Sequence, residues 1–223
     1  MDEPLSSLDA ALRTELRVEL VELQRRLGVS FLYVTHDQTE AMTMADRIAV
    51  MLNGRVAQIG TPSQIYGDPR HLDIAKFIGT PAINVLPATT DSDGRLIVLG
   101  QFQPLRVPNS AGSDLVIAIR PEHLEYRRIG QDAAAPDNLV GSVRHVEHLG
   151  HEAMIQLSLA TQPNLTLSVR VGQARLHDAL SLAPQEQVAL HMAMGAPLVF
   201  DGAGDRVPAI VMIGHEAGRA AAS

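Results

Sequence analysis

Two short stretches carry residue types that could act on a phosphate ester. The first is Asp2-Glu3, a pair of adjacent carboxylates ahead of Pro4-Leu5-Ser6-Ser7-Leu8-Asp9-Ala10. At a strand end, one carboxylate can serve a magnesium ion while its neighbour polarises an attacking water. Acids placed before a helix can equally serve its dipole. The second stretch is Tyr33-Val34-Thr35-His36-Asp37-Gln38. A histidine directly after a buried strand sits at the carboxyl edge of a sheet, where open α/β folds bind ligands. There it can contact a γ-phosphate and order the attacking water, or it can simply cap the next helix.

The surrounding residues predict the elements that hold these groups. Leu12, Leu16, Leu20, Leu23 and Leu27 recur at helical spacing, which gives one apolar stripe. Ser7 or Asp9 can cap the start of that helix, Glu22 can pair with Arg26, and Gly28 ends it. Phe31-Leu32-Tyr33-Val34 is a continuous apolar run that suits a central parallel strand covered on both faces. A short helix over Gln38–Ala45 follows, then strands over Arg47–Leu52 and Arg55–Ile59 joined by the hairpin signal Asn53-Gly54. Thr61-Pro62 reads as an N-cap with proline in the first turn. Residues 1–82 are therefore expected to be α/β.

From about Asn84 the helical period gives way to short β-rich runs. They are Leu96–Leu99, Leu115–Ile119, Leu139–Val146, Ala153–Leu159, Leu165–Val171, Val188–Met192 and Leu198–Phe200, separated by turn residues. That rhythm predicts an all-β barrel or sandwich over residues 83–213. The breaker sequence Gly79-Thr80-Pro81 marks the joint, and residues 214–223 read as a loose tail.

Composition narrows the possible functions. The chain has 223 residues, is 46% hydrophobic, and carries a net charge of −7. That balance suits a packed protein and opposes a general nucleic-acid binder, which needs clustered Lys and Arg. No cysteine is present, which excludes disulfides, thiolate metal sites and cysteine nucleophiles. No apolar run reaches the length of about 18 residues needed to span a bilayer, and the first residues lack the pattern of a secretory signal. A cytoplasmic location is expected.

Taken together, Asp-Glu-Pro, Ser-x-Leu-Asp, a helix, an apolar strand and Thr-His-Asp resemble the second half of an ABC-transporter nucleotide-binding domain. Asp37 to Arg47, Gly60-Thr61-Pro62, and Phe77 to Pro81 resemble importers of oligosaccharides or glycerol-3-phosphate. Arg120-Pro121-Glu122-His123 is similar to the appended, OB-like regulatory module called TOBE. The resemblance implies Asp2 as the magnesium residue, acting through water, and Glu3 as the catalytic carboxylate. It implies Ser6, Ser7, Leu8 and Asp9 as the D-loop that meets a second ATP-binding subunit, and His36 as the switch histidine. It further implies ATP and Mg²⁺ as cofactors of the intact family member, membrane-spanning permease subunits as partners, and a position on the inner face of the cell membrane. A regulatory protein or small ligand at the β domain is a further implied partner. A non-enzymatic regulatory module is the competing class.

One departure is decisive. A P-loop needs Gly-x-x-x-x-Gly-Lys-Ser/Thr, in which backbone amides cradle phosphate and the lysine reaches its oxygens. Among 17 Arg the sequence has one lysine, Lys76, with no glycine run before it. The signature motif and glutamine loop are absent as well, and the resemblance would put all three ahead of Met1. The chain is thus expected to be a late-starting or truncated version of a longer subunit, or a piece complementing another chain, and inactive alone. Elsewhere, His145, His148 and His151 alternate faces on a strand and are not expected to converge on a metal. Arg127-Arg128 reads as a solvated basic step. Arg120 to His123 reads as an internal ion pair that fixes a barrel corner.

Overall fold

The leucine stripe forms α1 (Ala10–Leu27) in the computed structural model, which describes residues 1–5, 8–108, 114–129, 139–193 and 195–211. Asp9 is the N-cap, its carboxylate accepting from the backbone N–H of Ala11 and Leu12 at 3.1 and 3.0 Å. Gly28 closes the helix at φ 63, a left-handed conformation open to glycine because it lacks a Cβ. Leu16, Leu20 and Leu23 are half-buried, while Leu12 and Leu27 stay exposed.

The expected central strand over Phe31–Val34 is not formed. Only an isolated parallel bridge, Asp2 to Val34, is made there, and Leu32 is 82% exposed. A buried parallel strand needs a ladder on each side and cover on each face; among the described residues only Met1–Glu3 lies beside this one.

Beyond it, α2 (Gln38–Met44) is capped by Asp37. Next, β1 (Ile48–Leu52) and β2 (Arg55–Gly60) form an antiparallel hairpin. Its turn residues Asn53 and Gly54 lie at φ 49 and 74, the paired left-handed conformations that a twisted two-residue hairpin requires. Thr61 and Gln64 form a reciprocal capping box on α3 (Pro62–Gly67). The buried Gln58 then fixes the exit from this region: its amide donates to the Asp68 carbonyl at 3.0 Å and accepts from Arg70 N–H at 2.8 Å.

The chain divides into compact units between Arg70 and His71, whereas the sequence reading drew the line between residues 82 and 83. The difference is helix α4 (Leu72–Phe77), whose Ala75 is buried with Ile83, Ala118, Leu198 and Phe200 of the second unit.

The second unit is otherwise β-rich. In chain order its strands are β3 (Asn84–Thr90), β4 (Arg95–Val98), β5 (Gln101–Arg106), β6 (Asp114–Ile119), β7 (Leu124–Arg128), β8 (Leu139–His148), β9 (Ala153–Leu159) and β10 (Gln162–Val171). After the short helix α5 (Leu176–Leu180) come β11 (Gln187–Met192), β12 (Leu198–Asp201), β13 (Arg206–Val207) and β14 (Ile210–Val211). They make a seven-stranded sheet, β13-β12-β6-β3-β4-β5-β14, and a five-stranded one, β10-β9-β8-β11-β7. All the pairs are antiparallel. One apolar core joins the sheets, with Leu86, Leu96, Ile117 and Val199 from the first and Val143, Ile155, Leu157 and Leu190 from the second. Strand alternation explains how β6 serves two cores. Leu115, Ile117 and Ile119 point into the main one, and Ala118 points to the α4 side. The runs read from sequence lie within these strands except at Leu99, which falls in the turn after β4; β3, β5, β7, β13 and β14 are additions. The expected tail, residues 214–223, lies outside the described residues.

Arg120 is fastened to α4, and Arg128 departs from its sequence reading. Arg120 is 3% exposed. Its Nη1 donates to the carbonyls of Ala75, at 3.1 Å, and Ile78, at the end of α4 where the helix leaves acceptors unmatched. Arg128 is not a loosely solvated residue. It donates to the Asp178 carboxylate at 2.9 Å, Glu186 at 2.5 Å and Ser181 Oγ at 2.6 Å. Tyr126, fully buried, donates to Asp178 at 2.7 Å, with the Arg175 guanidinium 4.2 Å above its ring. This hydrogen bond, with those from Arg128 and Arg175, holds the Asp178 carboxyl below its usual range against the cost of burial.

Candidate functional site

The candidate site is built by two short parallel segments. Val34 N–H donates to the Met1 carbonyl at 2.9 Å and Glu3 N–H donates to the Val34 carbonyl at 2.8 Å. Parallel pairing puts the carboxyl ends of both segments on the same side, so Glu3 and His36, 33 positions apart, meet: Glu3 Oε1 and His36 Nδ1 are 2.7 Å apart. Their side chains are 43% and 71% exposed. The hydrogen bond to Glu3, reinforced by its negative charge, raises the His36 pKa above its ordinary value. Glu3 sits at φ 41, a conformation uncommon for a residue with a Cβ and one that clusters at functional sites. Asp2 is exposed beside it.

Residues that the sequence reading left without a role support this pair. Glu40 is buried, and its Oε2 accepts from Tyr33 OH at 3.0 Å and Thr35 Oγ1 at 2.7 Å. Burial, together with the Glu40 carboxylate, pushes the Tyr33 hydroxyl up to about 12. Thr35 Oγ1 also accepts from Asp37 N–H at 3.0 Å. Glu40 thereby fixes the backbone on either side of Val34 and leads directly to His36.

Arg13 makes the second link. Its Nη2 donates to the Leu8 carbonyl at 2.9 Å, and its Nη1 lies 3.5 Å from Asp37 Oδ2. Burial works against the Asp37 charge, but the backbone N–H groups of Thr39 and Glu40 and the Arg13 charge hold its carboxyl below the usual range. Of the remaining sequence-derived site residues, Leu8 lends its carbonyl to Arg13 and Asp9 caps α1. Ser6 and Ser7 lie outside the described residues. An arginine one turn into a helix is a weak signal in sequence, because its partner Asp37 is remote along the chain.

The donor set fits one side of a nucleotide site. Asp2 is a hard oxygen donor, and Mg²⁺ commonly takes one or two carboxylates, with water and phosphate completing its shell. Glu3 against His36 suits proton handling at a phosphate ester. The phosphate-gripping side does not fit: the sequence holds no glycine-rich run ending in lysine, and Lys76 lies in α4.

In the second unit, a family model described as "TOBE domain" matches residues 117–200. The match puts a TOBE domain in the second unit, the module that the resemblance to ABC-transporter ATP-binding subunits implies. Sequence relatives agree. The sn-glycerol-3-phosphate import ATP-binding protein UgpC of Cereibacter sphaeroides is 45% identical over 196 residues, covering 86% of this chain and 53% of the relative. That of Chromohalobacter salexigens is 39% identical over 222 residues, covering 100% and 57%. The trehalose/maltose import ATP-binding protein MalK of Thermococcus litoralis is 46% identical over 166 residues, covering 70% and 45%. The chain belongs to this family of importer ATP-binding subunits and matches their C-terminal part. It spans about half the length of the curated relatives it matches. Among solved structures, a cytoplasmic molybdate-binding protein, ModG, aligns at 14% identity and TM-score 0.40 over 52% of this chain and 94% of its own. No helix among the described residues is long and apolar enough to cross a membrane.

Proposed function

We propose that this chain is the part of an importer's ATP-hydrolysing subunit that bears the water-activating acid and the γ-phosphate histidine, joined to a regulatory β domain. The supporting observation is the 2.7 Å Glu3–His36 pair at the shared carboxyl end of two parallel segments. On this reading Glu3 accepts a proton from the attacking water, and His36 holds the γ-phosphate and steadies the carboxylate. Asp2 reaches Mg²⁺ through a water; the ion, when bound, neutralises charge on the phosphate oxygens. Ser6, Ser7, Leu8 and Asp9 face the second ATP-binding subunit of a dimer, and Arg13 ties their movement to Asp37, next to the switch histidine. The membrane partners are permease subunits on the inner face of the cell membrane. The solute is glycerol-3-phosphate, a sugar or a related polyol, after the names of the relatives.

The test is ATP turnover in a longer version that carries a P-loop and signature segment ahead of Met1. Glu3→Gln should keep ATP binding and lower turnover about a hundredfold or more, because the amide loses the charge that polarises water. A Glu3→Gln protein with most of its turnover intact would reject the reading. The TOBE match over residues 117–200 favours a second reading, in which the β domain binds a regulatory protein or small ligand without hydrolysis. That reading requires ligand binding by the second unit whatever happens to Glu3.

A further inference from the structure

Asn84 opens β3 in the seven-stranded sheet and is 5% exposed. Its amide meets a single residue of the other sheet: Nδ2 donates to the Ser168 carbonyl at 2.8 Å, and Oδ1 accepts from Ser168 N–H at 2.7 Å. One side chain satisfying both backbone groups of one residue reproduces the exchange made across a hydrogen-bonded antiparallel pair. Both Ser168 groups turn toward Asn84 and therefore away from β9, so they belong to the outer edge of β10.

That edge lies at a gap. β10 ends the five-stranded sheet on one side and β7 ends it on the other. The two run close together, with the Pro121–His123 turn also beside β10, yet no ladder joins them among the described residues. A strand edge without a ladder leaves its N–H and C=O groups to be satisfied some other way. Here an amide from the opposite sheet does so for Ser168. Among the described residues the backbone of β10 is therefore held by one ladder, to β9, and by this side chain, beside the side-chain links of Thr166 to Arg144 and Arg170 to Glu152, whereas β6 is laddered on both sides, to β3 and β12.

We propose that Asn84 is a latch on this seam, a side chain standing in for a missing strand, which sets how often β10 opens from the rest of the unit. Segments held by few backbone bonds open locally, ahead of global unfolding, and β10 has the fewer. The latch is independent of ATP chemistry and stands or falls separately from the function proposed above.

Amide hydrogen exchange on the whole chain, resolved residue by residue by NMR, tests it. Asn84→Leu fills the same space but leaves the N–H and C=O of Ser168 without partners. Exchange across Leu165–Arg170 should rise at least about tenfold, while Leu115–Ile119 in β6 stays within about twofold of the unmodified chain. Ser168→Pro deletes only the N–H that meets Asn84, at an edge position where proline is tolerated. It should produce a smaller rise in the same segment. Unchanged exchange in β10, or an equal rise in β10 and β6, would overturn the latch. Failure of both variants to fold would also overturn it, by making the amide a support of the entire unit.

Discussion

Replacing Arg120 with methionine should cost the second unit about 2–5 kcal/mol. Methionine fills much of the same volume but donates nothing, and the Ala75 and Ile78 carbonyls lose the guanidinium that now serves both. Hydrogen bonds from a charged donor contribute roughly 1.5–3 kcal/mol each, and a buried acceptor left unmatched costs roughly 1–3 kcal/mol. Two bonds that share one nitrogen do not add fully, hence the lower end of the range. For a unit of this size each kcal/mol shifts the melting temperature by about 2–4 °C, so Arg120→Met should melt about 5–15 °C lower. Thermal unfolding followed by circular dichroism gives that shift, and hydrogen exchange locates it. Protection should fall first in Leu72–Phe77, because α4 is the element that loses its fastening. Arg120→Lys, with a single ammonium in place of a fork, should fall between. A midpoint within about 1 °C of the unmodified chain would refute the reasoning and point to a binding role for the Arg-Pro-Glu-His block.

Four further outcomes are expected. The isolated chain should show no micromolar affinity for ATP by calorimetry with Mg²⁺ present, because it has no phosphate cradle. Exchange should be fast through Phe31–Val34, where one isolated bridge is made, and slow through Leu115–Ile119, which is laddered on both sides; comparable strong protection of both in a monomer would contradict this. Glu3→Gln should bring the His36 pKa down toward its ordinary 6.5, read from imidazole shifts in an NMR titration. The raised value means the pairing favours the folded form below that pH and loses its effect as pH rises through the folded-state pKa. Asp178→Asn should flatten the acid side of the stability profile: a carboxyl held below its ordinary 3.8 stabilises above that pH, an effect lost as pH falls through the depressed value.

What could be read from the sequence was whatever local chemistry decides. Asn53-Gly54 requires two left-handed residues, Thr61-Pro62 opens a helix, and Gly28 ends one; each is a decision among neighbours. Phe31–Val34 failed because an apolar run becomes a buried strand only where partners lie on both sides. β3 was missed partly through Pro87, which usually argues against a central strand. Its registered partner is Val116 of β6, while pairing with β4 begins only at Ala88, so the missing N–H faces a side without a ladder. Arg128 was misjudged because Asp178 and Glu186 lie 50 and 58 positions away. In the candidate site, the residue types of Asp2, Glu3 and His36 stood out in the sequence, but Glu40 and Arg13 act through contacts no spacing announces.

The fastening of α4 bears on how the β-rich portion should be excised for study. A piece begun at Asn84, where the β rhythm starts, would strip the α4 cover from Ala118, Leu198 and Phe200. It would also take away the two carbonyls that Arg120 serves. The amino end of the helix is seated as closely: Leu72 N–H donates to the Gly204 carbonyl at 2.8 Å. Gly204, at φ 93, leaves no room for a side chain, since a Cβ there would lie 2.8 Å from His71 Nε2. Residues 71–82, assigned from sequence to the α/β portion, are thus part of the β-rich unit's wall. Cut at Arg70, the Gln58 clip stays with the first piece and the α4 wall with the second.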